Sequence, residues 1–158
     1  LIDTGDNSMT GGRIKRISKY LDDTFCLTYG DGLSNVDVSQ IIATHKKNNT
    51  LATLTAVQPP GKFGAITIEN EKVTTFEEKP KGDAGWVNGG FFVLEPSVVD
   101  YIQGDTTMFE REPLQQLTKE NQLSAYYHRG FWHPMDTLRD KNKLEELWSN
   151  GNAPWKVW

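Results

Sequence analysis

Only one cysteine, Cys26, occurs among the 158 residues, so an internal disulfide and a multi-cysteine zinc site are both excluded. Histidine is almost as sparse: His45, His128 and His133 are scattered, without metal-ligand spacing, and read as structural. Positive charge is not in excess. The 17 Lys and Arg against 21 Asp and Glu leave a net charge of −4, which argues against a nucleic-acid partner held on a basic face. No apolar run approaches about 18 residues, the length a spanning helix needs, so no membrane partner is expected. Repeats, heptads and low-complexity tracts are missing, as is any linker that would divide two domains. What is present, 37% hydrophobic and 24% charged residues, is the composition of an ordinary folded protein. The length fits a single domain over residues 1–158. The first residue is Leu1 rather than Met, and Leu1-Ile2-Asp3-Thr4-Gly5-Asp6 reads like the end of a strand entering a loop. The chain is therefore expected to be trimmed or a fragment.

Apolar residues at 14, 17, 20 and 21 have helical spacing with a basic outer face. Phe25-Cys26-Leu27-Thr28-Tyr29 reads as a short buried strand, ended by Gly30-Asp31-Gly32. Asn35 or Asp37 caps a helix that turns Val38, Ile41, Ile42 and His45 inward, and Thr50 to Val57 is β-branched and apolar enough for a second central strand. This order of helix, strand, helix, strand predicts an α/β fold with a parallel sheet. The second half differs. Ala65 to Ile68 and Val73 to Phe76 flank the turn Glu69-Asn70-Glu71-Lys72 and predict an antiparallel pair. Gly89 to Leu94 and Ser124 to His128 read as strands, and Pro96 to Ile102, Pro113 to Lys119 and Thr137 to Ser149 as helices.

Four segments could carry chemistry. In Tyr29-Gly30-Asp31-Gly32 a carboxylate stands just past the carboxyl end of a buried strand, where open α/β sheets bind ligands. The flanking glycines let a phosphate ligand approach the backbone, and a hard Mg²⁺ takes one or two carboxylates plus substrate phosphates. The plainer alternative is a turn. In His133-Pro134-Met135-Asp136-Thr137, Asp136 either caps the last helix, a role Thr137 could also fill, or pairs with Asp31 around a metal. In Phe76-Glu77-Glu78-Lys79-Pro80, the choice is between a solvated strand end and a carboxylate for sugar hydroxyls beside an ammonium for a phosphate. Val87-Asn88-Gly89-Gly90 is either a tight strand entry or an amide that reads hydroxyls beside bare backbone.

Taken in order, these motifs resemble the sugar-phosphate nucleotidylyltransferases, over essentially the whole chain. The resemblance rests on Asp3-Thr4-Gly5 with Met9-Thr10-Gly11-Gly12-Arg13, on Tyr29-Gly30-Asp31-Gly32, and on Pro60-Gly61-Lys62-Phe63-Gly64-Ala65. It continues through Phe76-Glu77-Glu78-Lys79-Pro80-Lys81-Gly82, Asn88-Gly89-Gly90-Phe91-Phe92-Val93 and Pro134-Met135-Asp136-Thr137-Leu138-Arg139-Asp140-Lys141. The Met-Thr-Gly-Gly-Arg segment and the tail Ala153-Pro154-Trp155-Lys156-Val157-Trp158 point to the cytidylyl branch.

The resemblance implies a Rossmann-like mixed sheet flanked by helices. It implies that Asp31 and Asp136 hold Mg²⁺, that Glu78 binds sugar hydroxyls and that Lys79 binds the sugar phosphate. Asn88 and Gly64 match sugar contacts, while Ser8, Thr10, Arg13 and Gly30 match the nucleotide side. The reaction implied joins CTP and α-glucose 1-phosphate into CDP-glucose and pyrophosphate, in a cytoplasmic homo-oligomer that supplies dideoxysugars for bacterial lipopolysaccharide O-antigen. The nucleophile would be a phosphate oxygen that is already anionic near neutral pH, so no general base is required. The site must instead align two anions and stabilise charge at the α-phosphate, and alignment alone is worth roughly 7–11 kcal/mol. One departure is large. The Gly-rich loop ending in Gly-Thr-Arg-Leu and the Pro-Lys-Pro segment of that family do not occur here. The expectation is thus the carboxyl-terminal part of a nucleotidyltransferase domain, inactive alone. The competing expectations are a non-catalytic module for a sugar phosphate or a partner subunit, and a uridylyl or thymidylyl transferase.

Overall fold

The computed structural model describes residues 1–59, 65–77 and 85–158. In chain order the elements are α1 (Thr10–Arg16), β1 (Phe25–Thr28), β2 (Gly32–Ser34), α2 (Val38–Asn48), β3 (Ala52–Val57), β4 (Ala65–Glu69) and β5 (Lys72–Glu77). They continue with β6 (Val87–Leu94), α3 (Glu112–Lys119), β7 (Leu123–His128), β8 (Trp132–Pro134) and α4 (Leu138–Ser149). Short 3₁₀ turns occupy Ser18–Tyr20 and Pro96–Tyr101. Leu1 to Gly5 carry neither helix nor strand, and Asp6-Asn7 form a turn.

Four strands form one sheet in the order β1-β6-β3-β7. The alternation of helix and strand in the first half predicted a parallel sheet. β6, from the second half, lies between β1 and β3 and runs antiparallel to β1, with Phe25 opposite Leu94 and Thr28 opposite Phe91, so the sheet is the mixed one that the resemblance implied. Phe92, Val93 and Leu94 are all buried, so both faces of this strand are covered by other parts of the fold, while strands on either side satisfy its two backbone edges. β4 and β5 form the expected antiparallel pair. Asn70 and Glu71, both at positive φ (49° and 64°), make the tight turn between them.

The chain divides into two compact units. The first comprises Leu1–Thr28, Val38–Leu54 and Gly90–Tyr126. Its core is built from Ile41, Phe92, Leu94, Val98, Ile102, Phe109 and Leu117, with Phe92 and Phe109 edge to face at 5.8 Å. α1 lies directly on the 105–107 backbone: Met9 N–H donates to the Asp105 carbonyl at 2.8 Å and Gly11 N–H to the Thr107 carbonyl at 3.0 Å. That approach explains Gly12, where an added Cβ would sit 2.5 Å from the Asp105 oxygen. Arg16 locks the same contact through two bonds to Asp105, at 2.8 and 2.6 Å, which hold the Asp105 carboxyl below the usual carboxylate range.

His45 is buried in this unit between two partners, the Thr53 hydroxyl and the Glu95 carboxylate, each at 2.9 Å. Burial pushes the Glu95 carboxyl up, but its bonds to His45 and to the Thr24 hydroxyl outweigh it and leave the pKa lowered.

The second unit comprises Tyr29–Asp37, Thr55–Gly89 and Tyr127–Trp158. It contains the β4–β5 hairpin, the two-stranded antiparallel ribbon β2–β8 and α4.

Candidate functional site

The β2–β8 ribbon is what positions the two aspartates expected to form a metal pair. Its register puts Gly32 opposite Pro134 and Ser34 opposite Trp132. One further bond, Met135 N–H to the Asp31 carbonyl at 2.7 Å, extends the pairing past the strand ends. Asp31 therefore enters β2, and Asp136 leaves β8, at the same end of the ribbon. Strands this short have no periodicity of their own. They are held by side chains: Asn35 accepts from the Phe131 N–H at 2.8 Å, and the Ser34 hydroxyl donates to the Phe131 carbonyl at 2.8 Å.

The capping role that could have claimed Asp136 belongs to its neighbour. Thr137 is the N-cap of α4: its hydroxyl oxygen accepts from the Asp140 N–H at 3.2 Å, and the Asp140 carboxylate accepts from the Thr137 N–H at 3.0 Å. Asp31 and Asp136 are both exposed, and neither carboxylate is committed to a hydrogen bond or ion pair among the described residues. No group of three or more candidate metal ligands occurs among the described residues. Two carboxylates are nevertheless an oxygen-only donor set of the kind that suits a hard cation completed by ligand phosphates.

His133, on β8, is buried next to this end of the ribbon. Burial and the nearby Lys143 hold its pKa below the ordinary value, against the opposing pull of Asp140 and Asp136. Its Nε2 is 3.3 Å from Asp140 Oδ1 without the direction of a hydrogen bond.

Asn88 and Gly30 lie in the same unit as the two aspartates. The Asn88 amide donates to the Tyr29 hydroxyl at 3.4 Å, which links the first residue of the Tyr-Gly-Asp-Gly motif to the start of β6. The bareness of Gly89 has a packing cause: a Cβ there would lie 2.7 Å from Val57 Cγ1 and 3.1 Å from the Thr55 carbonyl. The Gly89 carbonyl in turn accepts from Trp132 Nε1–H at 2.8 Å.

Ser8, Thr10 and Arg13 belong to the other unit. Ser8 is buried and donates to the Thr4 carbonyl at 2.6 Å. Thr10 donates to Glu110 at 2.6 Å and accepts from the Phe109 N–H at 2.9 Å. Arg13 donates to the Thr4 hydroxyl at 2.7 Å. Gly64, Glu78 and Lys79 lie outside the described residues. Sequence reasoning assigned no role to Tyr29, Trp132 or Trp86. A half-buried tryptophan signals that its N–H has an acceptor, but that the acceptor is Gly89 depends on residues 43 apart in the chain.

Comparison with known proteins adds three findings. The model of a family described as nucleotidyl transferase matches residues 11–147. Glucose-1-phosphate cytidylyltransferases of Salmonella typhi and Salmonella typhimurium are each 55% identical over 100% of this chain, which spans about 62% of their length. Among solved structures, HddC from Yersinia pseudotuberculosis superposes with a TM-score of 0.68 at 21% identity, covering 91% of this chain and 64% of that one. A UDP-glucose pyrophosphorylase complexed with UDP-glucose superposes with a TM-score of 0.68 at 14% identity, covering 95% of this chain and 65% of that one. At such identities the superpositions establish a shared fold.

Proposed function

Since the chain belongs to the nucleotidyl transferase family, we propose that it is the part of a glucose-1-phosphate cytidylyltransferase that carries the metal and sugar residues. The whole protein would transfer the cytidylyl group of CTP to α-glucose 1-phosphate and release pyrophosphate. One observation carries this reading beyond the family. The ribbon brings Asp31 and Asp136 to one end while Thr137 and Asp140 cap α4, so both carboxylates remain available to a ligand.

In this reading Asp31 and Asp136 hold a Mg²⁺ ion, which supplies charge neutralisation at the α-phosphate and the leaving pyrophosphate. The protein's own part is binding and alignment. Asn88, tied to Tyr29, offers an amide to sugar hydroxyls. Glu78 accepts from those hydroxyls, and Lys79 opposes the charge of the sugar phosphate. Gly64 contacts the sugar, Gly30 lies beside the nucleotide, and Ser8, Thr10 and Arg13 contribute on the nucleotide side. The attacking oxygen needs no base, in keeping with three histidines that are all buried. A homo-oligomeric assembly and a role in nucleotide-sugar supply for surface polysaccharide belong to the same proposal.

The test is pyrophosphate release from CTP, UTP and dTTP in competition, with glucose 1-phosphate and Mg²⁺, on the chain and on its parent reading frame. CTP-dependent release by the parent, absent without Mg²⁺, is expected. Preference for UTP or dTTP would overturn the base assignment. Glucose 1-phosphate binding with no release by the parent would replace transfer with a binding role.

A further inference from the structure

Trp86 is not accounted for by the motifs or by the core. It stands two residues before Asn88, immediately ahead of β6. Its indole is 37% exposed, yet it is held from two sides. The Tyr127 ring meets it at 4.8 Å and 68°, and the Arg129 guanidinium carbon lies 5.2 Å from its centre. Tyr127 is itself 60% exposed. The result is an exposed aromatic corner with a cation attached, just ahead of the strand bearing the amide assigned to sugar hydroxyls. Isolated apolar residues on a surface need no explanation, but two aromatic rings and a guanidinium fixed against one another make a preformed contact surface. Such rings lose little freedom when a ligand lands on them.

We infer that Trp86 is the stacking residue for the pyranose ring of the sugar phosphate, and that it favours the gluco configuration. The inference rests on the sugar-phosphate reading above. In α-D-glucose 1-phosphate the phosphate at C1 is axial but C2 to C5 carry equatorial substituents, so the ring face opposite the phosphate presents only axial C–H bonds, whose positive edge suits the negative face of an indole. A C4 epimer or a C2 epimer puts an axial hydroxyl on that face. Pressed against the ring, that hydroxyl loses water without gaining a partner. Tyr127 and Arg129 act as positioning residues that fix the indole plane.

The experiment is calorimetric titration of the chain with α-D-glucose 1-phosphate, its galactose and mannose counterparts, and inorganic phosphate. The variants are Trp86→Leu, which keeps apolar bulk without a π face, and Trp86→Phe, which keeps a π face. Trp86→Leu is expected to weaken glucose 1-phosphate by about five- to tenfold. It should also narrow the preference over the two epimers and leave inorganic phosphate unchanged. Trp86→Phe is expected to restore most of the loss. Equal behaviour of the Leu and Phe variants toward glucose 1-phosphate would overturn the stacking role, since bulk alone would then explain Trp86. A parallel loss of inorganic phosphate would overturn it too. An unaltered chain that binds glucose 1-phosphate no better than inorganic phosphate would overturn the sugar-phosphate reading itself.

Discussion

Asp136 and Thr137 are adjacent, and the capping box uses Thr137 and leaves Asp136 out. That difference can be measured as a double dissociation. Thr137 and Asp140 form a reciprocal capping box at the start of α4. Removing the hydroxyl with Thr137→Ala costs about 1 kcal/mol, which in a chain of this size lowers the melting temperature by about 2–4 °C. Its effect on Mg²⁺ should be nil, because the box makes no bond to either Asp31 or Asp136. Asp136→Asn keeps the shape and removes the charge. With no hydrogen bond or ion pair to lose among the described residues, it should leave the melting temperature unchanged. It should weaken Mg²⁺ by at least about tenfold to a hundredfold, since disturbing only the outer partner of a metal ligand already costs that much. Mg²⁺ titration by calorimetry in the presence of CTP, alongside scanning calorimetry of the same samples, reads both quantities. Unchanged Mg²⁺ affinity in Asp136→Asn would show that the assignment of the ribbon end is wrong, whatever the melting temperature, because asparagine caps a helix about as well as aspartate.

Three further outcomes are expected. Gly12→Ala should destabilise, because its Cβ would meet backbone, the Asp105 oxygen at 2.5 Å and Cα at 2.6 Å; overpacking of about 1–3 kcal/mol outweighs a helix-propensity gain of about 1 kcal/mol at most, and thermal melting checks the sign. Glu95 has a folded pKa below its ordinary 4.5, so the native state binds fewer protons than the unfolded one in that range. Its contribution is complete above about pH 4.5 and is lost as pH falls through the lowered value. Urea melts of Glu95→Gln should accordingly show a flatter acid limb, and an unchanged limb would refute the His45–Glu95 account. Finally, β1 is an end strand of its sheet among the described residues, with four uncharged residues and no proline to discourage pairing. Cys26, exposed on that strand, gives the test: Cys26→Lys should reduce association seen by light scattering while Cys26→Ser should not, and equal scattering would rule out edge pairing.

The helix over Leu138–Ser149 was legible in the sequence because it is local: a capping residue, then apolar residues at helical spacing. The β4–β5 hairpin was legible for the same reason, its turn chemistry lying within a few residues of both strands. The carboxylates, the lysine and the amide of the candidate motifs could also be read along the chain, and their assignment to a sugar phosphate and a metal is part of the proposal. Three things were not legible. The place of β6 between β1 and β3 depends on backbone pairing among segments distant along the chain. The ribbon β2–β8 joins strands of three residues about 100 positions apart, too short for any periodicity to show. The contact of Trp86 with Tyr127 and Arg129 joins positions some 40 apart. Sequence alone therefore determined which chemical groups the protein carries and which local elements they sit beside, because those are properties of neighbours along the chain. Tertiary structure decided that Asp136 is left out of the capping box, that Asp31 stands at the same end of the ribbon, and that an exposed indole stands just ahead of the strand bearing Asn88. Those are properties of approach between distant segments, where burial and backbone hydrogen bonding choose the partner.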